Sequence, residues 1–256
     1  MMGMFWAMLW KEWIELKRSY KLIIVPFAFA IIMVTLPITM KLLPTLIQQD
    51  LPEGTVISVP ESSAADIVSG IYANFEQLGL IVLILVMMGT VASEREKGSA
   101  ALILSKPIGR SGYILAKWTA YALLSTVSFL FGMGLTVYYT RILFDGKMEW
   151  AAIAEGTLLY LVLILLCVTL TLLFSSIMKS AVLAGFLSYA VYLALTKLGK
   201  YLPDSLEKYT PTAFTEAAGN IILGKEGQIM APLLILLAVI VLMIILTILL
   251  FKKEEI

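Results

Sequence analysis

Long apolar runs separated by short charged segments organise this chain. Six runs contain no Asp, Glu, Lys or Arg: Leu22–Met40, Gln77–Ser93, Trp118–Thr140, Gly156–Met178, Ser180–Thr196 and Gly227–Phe251, between 17 and 25 residues long. A hydrocarbon core about 30 Å thick takes roughly 20 apolar residues of helix to cross, and a helix satisfies its own backbone polar groups where water is absent. Leu, Ile, Val and Met on every face, with Gly and Ala between them, suit helices embedded in lipid rather than in a soluble core. The pattern predicts an all-α integral membrane protein with six transmembrane helices, the two 17-residue runs being the weakest of the six.

Ahead of the first run, Trp6, Leu9, Trp10, Trp13, Leu16 and Tyr20 recur at helical spacing, with Lys11, Glu12, Glu15 and Arg18 mainly opposite. This predicts an N-terminal interfacial amphipathic helix over residues 1–20. It anchors the first span through an aromatic belt or touches a partner; the pattern leaves both open. Ala28-Phe29-Ala30 has the form of a signal-peptide cleavage site. It lies inside an apolar run too long for a removable segment, so residues 22–40 read as a retained span.

Composition agrees with the pattern: 60% of residues are hydrophobic and 14% charged, against a usual charged share of about 25%. The chain reads as one membrane domain, 1–256, because segments 42–76 and 197–228 are too short to fold alone. Charge then suggests an orientation. With the N-terminus inside, twelve of the nineteen basic residues fall in inner segments and seven outside, whereas six acidic residues fall inside and twelve outside. The positive-inside bias is carried by Lys and Arg, so both termini and segment 91–118 are expected on the cytoplasmic side of the cell membrane.

The chain contains no His, which removes the commonest general base and the usual zinc ligand. Its spans, counted as charge-free runs, hold no carboxylate or base near mid-depth, so no ion-coupling device is expected. The single cysteine, Cys167, lies in the fourth run and is expected to be inert packing. Gly219–Glu226 matches the spacing of a phosphate-binding loop up to its last position, where Glu226 replaces the magnesium-binding Ser or Thr. No strand precedes it, and we read it as a chance match. The chain is expected to hold no cofactor.

Segment 91–118, VASEREKGSAALILSKPIGRSGYILAKW, concentrates ionic character between the second and third runs. Ser93 to Glu96 fits capping-box spacing. Ala100, Ala101, Leu102, Ile103 and Leu104 make barely two helical turns, Pro107 biases Lys106 away from the helical region, and Gly109 and Gly112 flank Arg110 in a turn. The segment predicts a short transverse helix edged by Glu94, Arg95, Glu96, Lys97, Lys106 and Arg110. It suits docking, and it equally suits a solvated loop.

The same segment resembles the signature between spans two and three of the ABC type-2 permease family, the membrane subunits of ATP-driven exporters. A looser match, Tyr209-Thr210-Pro211-Thr212-Ala213-Phe214-Thr215-Glu216-Ala217, resembles that family's outer segment before the last span. The resemblance implies a permease that dimerises, as a homodimer or a heterodimer, and carries two separate cytoplasmic ATPase subunits, with ATP and Mg bound by those partners. It marks Glu94, Arg95, Glu96 and Gly98 as a coupling loop, Ala100 to Leu104 as its helix, and segment 197–228 as short helices dipping in from outside. The expected surroundings are lipid and protein, not nucleic acid.

Two other classes compete. A membrane enzyme would need a nucleophile with a base, and the candidates Ser175, Ser176 and Lys179 lack a visible third member. A non-transporting anchor or sensor would dock a partner without a translocation path. Thr126, Ser128, Thr136, Thr169, Thr171, Ser188, Tyr189 and Tyr192 offer a polar seam, although intramembrane hydroxyls more often bond their own or neighbouring helices. Ala181 and Gly185, four residues apart, permit close helix packing.

Overall fold

The computed structural model describes residues 2–49, 63–98, 109–144, 146, 148–201, 203, 207, 210–225 and 230–253, and every regular element among them is helical. In chain order these are α1 (Met2–Arg18), α2 (Lys21–Gln49), α3 (Ala64–Met87), α4 (Ala92–Glu96), α5 (Arg110–Leu143), α6 (Trp150–Ile177), α7 (Ala181–Lys197), a 3-10 turn (Leu198–Tyr201), α8 (Pro211–Ile222) and α9 (Met230–Lys253).

Among the described residues five helices, not six, are long and apolar enough to cross a membrane: α2, α3 continued through α4, α5, α6 and α9. This corrects the expected six-span fold. The run over 180–196 forms α7, only 17 residues long and ended by the 3-10 turn. At 1.5 Å per residue it extends about 25 Å, short of the hydrocarbon thickness. Its start packs near Gly89, Met88 lies against Gly185, and its end meets α8 through Thr212, which donates to the Thr196 carbonyl.

Helices also reach beyond their charge-free runs, because one charged side chain stops a count without stopping a helix. α3 begins at Ala64, thirteen residues before its run, where Ser63 caps it: the Ser63 hydroxyl accepts from the Asp66 amide and the Asp66 carboxylate accepts from the Ser63 amide. Glu76 therefore lies within α3, inside the 33-residue candidate span Ala64–Glu96 rather than ahead of it. α2 runs through Pro26, Pro37 and Pro44 to Gln49; such prolines are tolerated where neighbouring helices re-satisfy the freed carbonyls.

α6 is the central helix. Of its apolar window 83% is buried, against 28% for α2 and 17% for α9, which leaves those two at the periphery. α2, α3, α5 and α6 meet through a ring cluster: Phe29 lies 4.6 Å from Phe75, Phe75 5.0 Å from Phe129, Phe129 5.2 Å from Tyr160, and Tyr160 5.0 Å from Tyr72. Offset and edge-on ring pairs of this kind add about 0.5–1.5 kcal/mol each beyond their area. α8 lies against α3 and α6, and it approaches both at glycine: a Cβ on Gly156 would fall 2.6 Å from the Ala218 carbonyl oxygen, and one on Gly219 3.3 Å from that of Ser69.

α1 is helical as expected, but its faces differ from the expected arrangement. Met8, Leu9, Glu12 and Leu16 are buried, whereas Trp6 and Trp10 are exposed. The tryptophans point away from the bundle, and Glu12, placed by pattern on the wet face, points in. Tyr20, at φ 59°, breaks α1 from α2 in a left-handed turn, a conformation uncommon outside glycine.

Candidate functional site: a buried ionic cluster at one end of the bundle

The segment singled out in the sequence is divided by the structure. Residues 99–108, and with them Ala100, Ala101, Leu102, Ile103, Leu104, Lys106 and Pro107, lie outside the described residues. Glu94, Arg95, Glu96, Lys97 and Gly98 lie on and just after α4, and Arg110 begins α5. The expected capping box over Ser93–Glu96 does not form: Val91 is the residue at the helix start, no side chain caps it, and Ser93 is already inside the helix.

What seats α4 is α6. The Ser175 hydroxyl accepts from the amides of Val91 at 3.0 Å and Ala92 at 3.2 Å and donates to the Met88 carbonyl at 2.8 Å. Arg95 donates to the Ser176 carbonyl at 2.7 Å, placing a cation where the carbonyls at the end of α6 carry partial negative charge. Ser175 and Ser176, considered above as nucleophiles, are thus engaged in packing, Ser176 donating to the Leu173 carbonyl, while Lys179 is exposed.

Glu94 turns inward. One carboxylate oxygen accepts from Lys117 at 2.9 Å and from Lys11 at 2.6 Å; the other accepts from the Tyr113 hydroxyl. The Lys117 ammonium also lies 3.1 and 3.2 Å from the two oxygens of Glu12. Lys11 closes the cluster at 2.9 Å from Glu12 and 2.7 Å from Glu15. Lys117 has no exposed surface and Glu12 retains 2%. Two ammonium groups therefore face three carboxylates across α1, α4 and α5.

Ion pairs this deep seldom add stability over an apolar packing, but removing one partner strands a buried charge at about 3–5 kcal/mol. Their effect is to fix register: α1 cannot shift against α4 without separating Lys117 from Glu12 or Lys11 from Glu94. Burial alone would lower the Lys11 pKa, but Glu12, Glu15 and Glu94 outweigh it and hold the group above its ordinary value. Carboxylate oxygens of Glu12, Glu15 and Glu94 lie within 4.8 Å of one another, a spacing open to a cation. The Lys11 ammonium already contacts all three, so the arrangement is that of an ion-pair cluster.

The last helix joins the same end. Arg110 donates to the Lys252 carbonyl at 2.6 Å, and the Tyr113 ring stacks on Phe251 with centroids 5.3 Å apart and planes 6° apart. In contrast, Glu96, Lys97 and Gly98 are exposed. Gly98, at φ 69°, ends α4 in the left-handed conformation that glycine adopts without strain. The docking edge expected from pattern thus separates into an inward pair, Glu94 and Arg95, and an outward pair, Glu96 and Lys97.

Lys117, Tyr113 and Glu12 were not singled out in the sequence. The available signal was weak: Lys117 directly precedes a charge-free run, and Glu12 shares the polar face of α1 with Glu15 in the spacing pattern. The glycine-rich stretch at 219–226 forms no phosphate cradle at its start, since Gly219 and Asn220 belong to α8. Four of the eight hydroxyls of the expected seam bond within their own helix, Ser128 to the Leu124 carbonyl, Thr169 to that of Leu165, Thr171 to that of Cys167 and Ser188 to that of Ala184.

Residues 6–256 match the family described as ABC-2 family transporter protein. The chain is also similar to an uncharacterized transmembrane protein, YxlG, of Bacillus subtilis (strain 168), with 33% identity over 222 residues that cover 86% of this chain and 85% of the relative.

Proposed function

From the premise that this chain belongs to the ABC-2 family of transporter proteins, we propose that it is the membrane-spanning permease subunit of an ATP-driven exporter. ATP is bound with Mg and hydrolysed by separate ATPase subunits, two per complex, and a second permease chain completes the assembly. The observation that carries this reading is the buried Glu94 carboxylate, held by Lys11 of α1 and Lys117 of α5 directly beside the outward-facing Glu96 and Lys97.

In this reading the ATPase seats on the exposed turn after α4. A rigid ion-pair cluster behind that turn passes a push to three elements at once, because none of the three can move alone without stranding a charge. The end of the bundle that holds Glu94 is the cytoplasmic one. Lys17, Arg18, Arg95, Lys97, Arg110 and Lys252 belong to elements that meet there, in keeping with the positive-inside bias. Both termini then face the cytoplasm. In this reading α7, which starts beside Gly89 and ends against α8, and α8, which packs on Ser69 in the far half of α3, together return the chain to the outer side without a full-length span. α9 thus ends at the cytoplasmic end, where Lys252 meets Arg110.

The test is association and turnover. Co-expressed with a cognate ATPase and gently solubilised, the chain should purify as two permeases with two ATPases, and Glu96→Lys should weaken that association at unchanged membrane abundance. A stable, active permease without any ATPase would refute the reading, and ATPase binding without movement of any cargo would favour an anchor or sensor.

A further inference from the structure

Helix α3 stops at Met87 and α4 starts at Ala92, yet nothing in MMGTVASERE, residues 87–96, forces a break. The stretch holds no proline, and its single glycine, Gly89, costs a helix far less. In a continuous helix the Ala92 amide would pair with the Met88 carbonyl. Instead the Ser175 hydroxyl of α6 stands between them: it accepts from Ala92 at 3.2 Å and from Val91 at 3.0 Å, and donates to the Met88 carbonyl at 2.8 Å. The helical ladder resumes one residue later, where the Ser93 amide donates to the Gly89 carbonyl at 3.0 Å. A side chain inserted into the ladder is a known cause of a helix break, and this one comes from another helix. Ser128, Thr171 and Ser188 bond the carbonyl four residues back in their own helices; Ser175 bonds across to the backbone of residues 88–92.

The break is small. Met88 keeps φ −52° and ψ −33°, and Val91 φ −112° and ψ −43°, against about −63° and −42° in a regular helix. Closing it exchanges hydrogen bonds without losing one. The Ala92 amide would pass from Ser175 to the Met88 carbonyl, the Val91 amide to the Met87 carbonyl, and the Ser175 hydroxyl to the Thr171 carbonyl of its own helix. The Thr90 hydroxyl would gain: it is buried in the break without a hydrogen-bond partner, and a closed helix brings it to the Val86 carbonyl, as Thr171 meets that of Cys167. We propose that Met88–Ala92 is a two-state hinge and that Ser175 is the positioning residue that sets it. With the hydroxyl inserted, α4 turns Glu94 to Lys11 and Lys117 and Arg95 to the Ser176 carbonyl. With it withdrawn, α3 and α4 join into one helix and Glu94 leaves the cluster. The central helix α6 thereby controls α4 by a route separate from the ion pairs to α1 and α5. That the hinge carries ATPase movement rests on the permease reading; the hinge itself does not.

The test is a distance across the break. In a Cys167→Ser background, Leu78→Cys and Lys97→Cys, both at exposed positions, carry nitroxide labels, and pulsed electron resonance reads their separation in the full chain in lipid nanodiscs without ATPase. A continuous helix sets positions 78 and 97 about 28 Å apart along its axis, which is the longer of two expected distances; the shorter, broken form should dominate. Ser175→Ala leaves the amides of Val91 and Ala92 unpaired in the broken form, so the ratio of longer to shorter should rise about tenfold. Thr90→Val keeps the shape but removes the bond that the closed helix gains, so the ratio should fall several-fold. A hydroxyl that merely caps α4 would give no dependence on Thr90. A single distance shared by all three proteins overturns the proposal, as does a folded Ser175→Ala with an unchanged ratio. Where Ser175→Ala does not fold, Thr90→Val decides: loss of the longer distance supports the hinge and an unchanged distribution overturns it. Because no ATPase is present, failure leaves the permease reading standing.

Discussion

Lys117 and Glu94, 23 residues apart in sequence, form an ion pair of 2.9 Å with the lysine side chain wholly out of solvent. The pair joins the start of α5 to α4, and through Glu12 and Lys11 it reaches α1. Lys117→Met should therefore leave the three carboxylates with only the Lys11 ammonium and destabilise the protein by about 3–5 kcal/mol. The double variant Lys117→Met with Glu94→Gln should recover part of that loss, since one of the stranded charges is gone. Thermal unfolding of the four proteins of this cycle, at equal detergent concentration, measures the coupling; additive losses would show that the two side chains act independently.

The expected fold and site were legible where pattern alone decides. α5 contains its predicted run, α6 all of its run but the last residue, Met178, and α9 takes up its run from Met230, because an uninterrupted apolar stretch of more than 20 residues has few alternatives. α3 was half hidden, since Asp66 and Glu76 interrupt the count although one caps the helix and the other sits against Thr215. α7 was over-read: 17 uncharged residues satisfied a count, but length decides a crossing. The ionic cluster was not legible, because pairing between Glu12, Glu94 and Lys117 depends on how three helices converge, and no spacing along the chain encodes that. For the same reason the burial of Glu12 on α1 was not legible, since the pattern set it opposite the apolar stripe.

Close packing of α8 on α6 leads to a second prediction. A methyl group on Gly156 would meet the Ala218 carbonyl oxygen at 2.6 Å and the Tyr72 hydroxyl at 3.0 Å. Backbone gives way less easily than a side-chain end, so Gly156→Ala should cost about 1–3 kcal/mol. Protease sensitivity of α8 should rise in parallel, whereas Gly134→Ala, which meets nothing within 4 Å, should change neither.

Gly98 separates backbone from contact effects. Nothing lies within 4 Å of a Cβ placed there, yet its φ is 69°. Gly98→Ala should cost about 1–2 kcal/mol locally, and Gly98→Pro, whose ring fixes φ near −65°, should abolish the turn. Both should insert into the membrane at wild-type abundance. Permease-dependent ATP turnover should fall slightly in the first and to near background in the second; wild-type turnover with Gly98→Pro would mean that the turn carries no coupling.

Orientation is tested by labelling. In a Cys167→Ser background, a single cysteine at exposed Lys97 should react with an impermeant thiol reagent only after the cells are permeabilised, and one at exposed Lys225, beyond the far end of α8, should react in intact cells. The reverse pattern would place Glu94 and its cluster outside and remove the basis for ATPase docking.

The most direct measurement is a zero-distance contact in the working complex. With Lys97 replaced by a photo-reactive benzophenone residue, the co-expressed complex is illuminated while it hydrolyses ATP. The predicted product is a covalent adduct of this chain with the ATPase subunit, formed from position 97 and not from position 225. An active complex in which position 97 never captures the ATPase would contradict the assignment of the α4 turn as the coupling surface.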